Sequence, residues 1–267
     1  MMLIGGLGGA LLLVAQPMPA QGDAPPAQAM AHVQFAPPTD RPMTYRVTTR
    51  RIGRDGSLID FSLVYALQWQ RMGRGYQLRS VLQRIDSDAP PAVTRALTLM
   101  LEPLVGEELA YLVAPDGSRI DLVDPEGLWE RATARIETAA AEGGRAEAKQ
   151  LAQLIAALPT AERDRLATAD VRALVAPANA AIPISAALDG ASVSILHDGT
   201  RRTIAKVEHS SAAARGRTPP LEIDHLWTID TATGLVMQER RQSWIVEADG
   251  GGRTLVEERV RALDPVP

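Results

Sequence analysis

The chain has 267 residues, a formal net charge of −4, no cysteine and a hydrophobic fraction of 46%. That fraction is enough to fill a core, so the chain as a whole is not intrinsically disordered. Without cysteine it cannot form a disulfide, a thiol nucleophile or a thiolate metal site. Its mild acidity argues against general nucleic-acid binding, so we expect no nucleic-acid partner.

The first residues have the pattern of an export signal. The apolar run from Leu3 to Ala15 matches a signal-peptide core and falls short of the roughly 20 residues of a membrane-spanning helix. Ala27-Gln28-Ala29 fits the small-residue cleavage pattern. No Lys or Arg precedes the run, which leaves a membrane anchor as the alternative. We expect a signal peptide over residues 1–29, a mature form without a transmembrane span, and a periplasmic or extracellular location.

Residues 30–42 belong to a stretch rich in proline and alanine. This composition predicts an extended tether rather than part of a core. We expect order to begin near Met43, so that residues 43–267 form a single domain. Upstream, Gly5-Gly6-Leu7-Gly8-Gly9 lacks the preceding strand and the βαβ unit that a dinucleotide site requires, and we expect no cofactor.

From Met43 the apolar residues recur with the period of two that is typical of strands. Turn signals at Asp55-Gly56 and Gly73-Arg74-Gly75 separate the runs. The pattern predicts a meander of three antiparallel strands, over residues 44–54, 61–70 and 76–85.

Helices and a second hairpin follow. Helical spacing between Pro90-Pro91 and Pro103 predicts a short helix, and Asp116-Gly117 predicts a hairpin of strands 109–113 and 119–123. Asp124-Pro125 then supplies an N-cap acceptor and a proline at the first helical position. The alanine-rich residues 124–176 predict a helical insert in three pieces, broken at Gly143-Gly144 and Pro159-Thr160.

After Asn179 the strand pattern returns. It predicts four further strands, over residues 202–209, 222–230, 235–247 and 253–263. The last two alternate glutamate with arginine, and we expect cross-strand ion pairs on a solvent face, at Glu239, Arg241, Glu257 and Arg259. The whole predicts an α+β fold, in which a curved antiparallel sheet (a meander or half-barrel) is closed by the helical insert.

No pattern assigns a catalytic residue or a metal ligand. His32 lies in the tether, and His197, His209 and His225 lack metal-ligand spacing. The chain contains neither a G-x-S-x-G nor an S-x-x-K motif. A triad assembled from distant segments remains an alternative, since triads are defined by geometry rather than by sequence position.

Aromatic residues concentrate on one predicted strand face, because alternate positions of a strand point the same way. They form either a filled core under the helices or a groove for an acyl chain. The candidate ligand-binding residues are Phe61, Tyr65 and Trp69, with Trp227 expected to face them across the fold.

Charge is asymmetric between Met43 and Asp86, where eight arginines accompany three aspartates. These arginines are either contacts for anionic head groups or the solvated edge of an arginine-rich protein, in which only two of the basic residues are lysine. The candidates for anionic contact are Arg46, Arg50 and Arg79.

The order of parts over roughly Met43 to Leu263 resembles the lipoprotein-carrier fold of the bacterial envelope. In both, a signal precedes antiparallel strands, and helices are inserted between two β halves. The hairpin from Leu226 to Val236 is also similar to a segment of exported bacterial proteins without assigned activity. The resemblance implies an unclosed antiparallel barrel whose helices cover an apolar cavity.

We therefore expect a non-catalytic protein of the cell envelope that binds an apolar or amphiphilic ligand, such as a lipid, in a groove between sheet and helices. The tether and the mixed-charge surface favour an alternative, a protein–protein interaction or assembly factor with an envelope protein as partner. A hydrolase with a dispersed site is the distant third.

Overall fold

The computed structural model describes most of the chain after residue 32 and gives no account of the predicted signal peptide or of the glycine-rich segment inside it. The described residues are 33–52, 56, 58–89, 91, 94, 98, 101–143, 153, 157–179, 192–211, 220–247 and 252–265.

Ten strands form one antiparallel sheet, in the order β5-β4-β3-β2-β1-β10-β9-β8-β7-β6. Strands β1–β5 and β6–β10 are thus two meanders that join where β1 pairs with β10. The strands are β1 (Met43–Ile52), β2 (Leu58–Met72), β3 (Gly75–Ser87), β4 (Glu108–Val113), β5 (Ile120–Leu122), β6 (Ser192–Asp198), β7 (Arg201–Ser211), β8 (Pro220–Asp230), β9 (Leu235–Val246) and β10 (Arg253–Pro265).

In the described residues between β5 and β6, the chain forms the helices α1 (Pro125–Gly143) and α2 (Thr160–Asn179). Asp124 caps α1 as predicted, since its Oδ1 accepts a hydrogen bond from the Gly127 N–H at 3.1 Å. A 3₁₀ segment spans Glu102–Leu104. Because β5 and β6 are opposite edges of the sheet, the helical segment that connects them covers one face. We call this the inner face.

The sheet curves around α2. Tyr111 of β4 donates to the Ala167 carbonyl at 3.0 Å, and Arg261 of β10 donates to Asp170 Oδ1 at 2.9 Å. These two strands are four positions apart, about 19 Å in a flat sheet. Ala167 and Asp170 lie within one helical turn, about 5 Å. Two points so close on the helix reach both strands only if the inner face is concave.

The main core lies between α2 and the inner face of the first meander. Trp69 and Leu78, register partners on β2 and β3, are fully buried there. Phe35 packs edge-to-face against Trp69 and Tyr76, with ring centroids 5.7 and 5.3 Å away. The buried aromatic groups therefore belong largely to filled core.

Ordered packing begins before Met43. Val33 and Phe35, inside the predicted tether, are each 3% exposed. The Ala36 N–H donates to the Thr233 carbonyl at 2.9 Å. Gly234 has a φ of 72°, and a Cβ at this position would lie 2.8 Å from the Gln34 carbonyl oxygen. Val33, Phe35 and the turn at Gly234 therefore make this part of the predicted tether belong to the folded domain. Its proline-rich composition had predicted an extended segment outside the core.

The α+β class and the antiparallel sheet are confirmed. The helix break at Pro159-Thr160 is found where predicted, since α2 begins at Thr160. The predicted break at Gly143-Gly144 and most of the middle piece of the insert lie outside the described residues. Strand β6 was not predicted. Its inward residues Val193 and Ile195 are followed by Leu196, which is 66% exposed and breaks the alternation.

Candidate functional site

A cavity of about 390 Å³ lies between α1, α2 and the inner face of β1–β4. This volume falls within the range of small-molecule sites, whereas close-packed interiors hold few voids larger than a water molecule. Its lining is Tyr45, Leu63, Tyr65, Leu67, Ser80, Leu82, Leu101, Leu104, Glu107, Leu109, Tyr111, Leu128, Trp129, Ala132, Ile136, Leu158, Leu166, Ala167, Asp170, Val171 and Leu174.

Two periodic patterns build the walls. On β2, alternate residues Leu63, Tyr65 and Leu67 face inward. On α1, Leu128, Ala132 and Ile136 recur every fourth residue and are buried, so they form the stripe of the helix that faces the sheet. Among the described elements, α1 makes more extensive backbone contact with the 3₁₀ segment than with any strand. The helix therefore stands off from the sheet, and the cavity fills the gap.

One part of the cavity rim is open to solvent, and another part is held by ion pairs. Leu166 lines the cavity although its side chain is 52% exposed, so the cavity reaches solvent beside α2. Glu107 also lines it and forms ion pairs with Arg131, at 3.5 Å, and with Arg135. These pairs attach α1 to the segment before β4.

Polar groups in the lining are few. The Tyr45 hydroxyl donates to the Asp170 carbonyl at 3.2 Å. Burial, chiefly, raises the pKa of Tyr45, Tyr65 and Tyr111 above the ordinary tyrosine value, so all three are uncharged at neutral pH. The Trp129 indole N–H is buried and has no partner among the described residues. The cavity is thus an apolar chamber with few polar groups in its wall.

A buried ionic cluster joins α2 to the sheet at the cavity wall. Arg261 Nη1 donates to Glu239 at 2.7 Å, and its Nε and Nη2 donate to Asp170 Oδ1 at 3.1 and 2.9 Å. Burial alone would lower the pKa of Arg261, but the charges of Asp170 and Glu239 raise it. The prediction of a solvent-facing Glu239 is wrong, because this side chain is on the inner face and 7% exposed.

The predicted ligand-binding residues do not form one group. Tyr65 lines the cavity, whereas Trp69 belongs to the filled core. Phe61 is half-buried, two residues beyond Leu63, and is not part of the lining. Trp227 lies on β8, four strands from β2, in a separate cluster with Ile204 and Ile229.

The three arginines predicted to contact anions lie on the outer face. They alternate on β1 and β3 with the inward residues Tyr45, Val47 and Ser80. Each pairs with carboxylates: Arg46 with Asp86 at 3.4 Å, Arg50 with Asp60 at 2.9 Å and Glu258 at 3.1 Å, and Arg79 with Glu108.

Sequence reasoning missed most of the lining. Leu82, Leu109 and Tyr111 face the cavity only because β3 pairs with β2, and β4 with β3, in this register. The buried stripe of α1 could have been predicted from the four-residue spacing of Leu128, Ala132 and Ile136. The many other alanines of this helix obscure that pattern.

Histidines contribute no recognisable reaction centre in the described residues. His209 Nδ1 lies 3.7 Å from Glu222 at the surface, and His225 stacks on Trp227 with ring centroids 4.9 Å apart. No hydrogen bond between a histidine and a serine occurs in this part of the chain, and none of its acidic and histidine side chains group into a metal site. None of the described helices has the length and apolar character needed to cross a membrane.

The sequence matches no protein-family model, and no curated protein is significantly similar to it. The resemblance to the lipoprotein-carrier fold stays a prediction. Function must therefore be argued from the cavity itself.

Proposed function

We propose that this protein is an exported, non-catalytic envelope protein that binds the apolar chain of an amphiphile between α1 and the sheet. The observation that carries the proposal is the cavity of about 390 Å³, whose walls are almost entirely leucine, isoleucine, valine and aromatic side chains. A lipid with a single acyl chain has the matching chemistry.

Filling the cavity is favourable because its lining lacks contacts on one side. Burying each methylene of a chain contributes about 0.8 kcal/mol. A chain that buries ten methylenes therefore gains about 8 kcal/mol, which is within the range of the estimated cost of association. Binding stays reversible under this balance, as a carrier requires.

The rim supports entry and exit. Leu166 places an apolar side chain in solvent at the opening, where a chain would first contact the protein. The ion pairs of Glu107 that hold α1 are about half exposed on the arginine side, so each contributes little to stability. Those ion pairs are therefore only a weak restraint on a small outward movement of α1.

Trp129 provides the test, since its side chain lines the cavity. A fatty acid brominated near the middle of its chain should quench tryptophan fluorescence saturably, with one ligand per protein. Trp129→Phe should remove most of this quenching while binding persists in a competition assay with an unbrominated acid. Equal quenching in wild type and Trp129→Phe would place the chain elsewhere.

A matched pair of variants on α1 separates cavity binding from adsorption. Ala132 is buried in the lining and Ala134 is exposed on the opposite side of the same helix. Ala132→Phe should fill the cavity and abolish saturable quenching, whereas Ala134→Phe should retain it. Both variants should show the circular dichroism spectrum of the wild type.

A further inference from the structure

We propose that the inner face of the second meander carries an oxyanion site, centred on Arg241 and Arg259, which holds the anionic head group of the amphiphile. This inference rests on the proposed function for its physiological ligand. The site itself is inferred from residues that lie outside the cavity lining.

The site is a row of basic side chains in register across four strands. Lys206 on β7 pairs with His225 on β8, His225 with Arg241 on β9, and Arg241 with Arg259 on β10. Directly paired residues of an antiparallel sheet point to the same face. The row shares the inner face with Arg261, two residues along β10 from Arg259.

The row is close to the cavity. Asp170 lines the cavity and contacts Arg261 at 2.9 Å, and Arg259 is the next inward position on β10, about 7 Å further along the strand. The lining itself contains no basic side chain, only the carboxylates of Glu107 and Asp170. An anionic head group therefore has to lie beyond the cavity wall, and this row is an inward cationic surface of the described residues that adjoins Arg261 at that wall.

The charges of the row are incompletely matched. Lys206 pairs with Glu208, and Arg241 lies 3.6 Å from Glu257. Arg259 has no carboxylate partner in the described part of the chain, and its Nε is buried without a hydrogen bond. The three basic side chains of Lys206, Arg241 and Arg259 are thus accompanied by only two carboxylates in the described residues.

Two further features point to an anion. Arg241 and Arg259 are directly opposite each other, an arrangement of like charges that destabilises a sheet unless a counter-charge lies between them. The buried Nδ1 of His225 also lacks a partner among the described residues. A carboxylate or phosphate group would accept hydrogen bonds from both guanidinium groups and relieve their repulsion.

The first test compares hexadecanoate with hexadecanol, which share a chain and differ in head group. Wild-type protein should bind the acid about ten-fold or more tightly. The double variant Arg241→Gln/Arg259→Gln should bind both equally, with the affinity for the alcohol unchanged. Arg240→Gln, on the outer face of the same strand, should keep the preference. A preference that survives the double variant overturns the proposal.

The second test needs no amphiphile, so it distinguishes failure of the site from failure of the proposed function. Inorganic phosphate, against chloride at matched ionic strength, should raise the Tm of the wild type by about 2 °C or more and leave the double variant unchanged. No difference between the two salts in the wild type overturns the site. A phosphate effect without binding of either hexadecyl compound retains the site and overturns only the cavity ligand.

Discussion

The two meanders have the same number of strands and the same connectivity, but their inner faces differ in chemistry. In β1–β5 the inward residues are mainly leucines, valines and aromatic groups, and they leave a cavity under α1. In β6–β10 the inward residues include Arg261, Glu239, Arg241 and His225. Topology alone therefore does not decide where a ligand binds. The side chains at alternate positions decide it.

The largest effect on stability should come from the ionic cluster of Arg261, Glu239 and Asp170, which lies between the inner faces of the two meanders. Arg261→Met leaves Glu239 buried without a counter-charge, and we expect the free energy of unfolding to fall by about 3–5 kcal/mol. Urea denaturation measures it. Adding Glu239→Leu should restore much of the loss, because the second change removes the uncompensated charge. Arg240→Met, at an exposed position of β9, is the control. If Arg261→Met is as stable as this control, the ionic cluster does not stabilise the fold.

A second comparison tests whether the cavity is underpacked relative to the core of the same meander. Leu78 and Leu82 both point inward on β3, but Leu78 lies in the filled core and Leu82 lines the cavity. Leu78→Ala should reduce the free energy of unfolding by about 2–5 kcal/mol. Leu82→Ala should cost less, since one side of this residue already lacks contacts. Equal losses in urea denaturation would indicate that the cavity is filled.

Alkaline pH should weaken the first meander selectively. The pKa values of Tyr45, Tyr65 and Tyr111 are raised mainly by burial, so the unfolded chain releases these protons at lower pH than the folded one. The contribution of these tyrosines to the free energy of unfolding is fully present below about pH 10, and it is lost as the pH rises above that value. Tyr65→Phe should flatten this decline in thermal melts recorded between pH 9 and 11. An unchanged slope would show that Tyr65 is accessible to water.

The smallest effect belongs to the second meander, at acidic pH. Burial, as the largest cause, lowers the pKa of His225, although Glu208 opposes the shift. The unfolded chain therefore takes up this proton first, and stability present above about pH 6.5 is lost as the pH falls through the folded pKa. His225→Gln should remove this component from the melting profile. Phosphate bound at Arg241 and Arg259 should raise the His225 pKa, which NMR titration reports.

The elements with strong local signals could be predicted from sequence. The turns at Gly73-Arg74-Gly75 and Asp116-Gly117, the cap at Asp124 and the alternation on β2 each depend on a few neighbouring residues. The shared face of Leu63, Tyr65 and Leu67 is such a case, and it supplied the correct strand of the cavity wall.

What sequence could not supply depends on contacts between distant segments. Glu239 was predicted on a solvent face because alternating charges are typical of solvated strands. In the structure it is buried beside Arg261, which also binds Asp170 of α2. Trp227 was expected to face the aromatic residues of β2 across the fold, but it lies four strands away and packs in a separate cluster. Phe35 lies among prolines, and its place in the core depends on the turn at Gly234.

The most direct test of the cavity as a ligand site is native mass spectrometry of the protein from its native source, isolated without detergent, together with lipid extraction. We predict a mass increment of one amphiphile for the wild type and for Ala134→Phe, and none for Ala132→Phe. A bare wild-type mass, under conditions that preserve a known lipid–protein complex, would contradict the account.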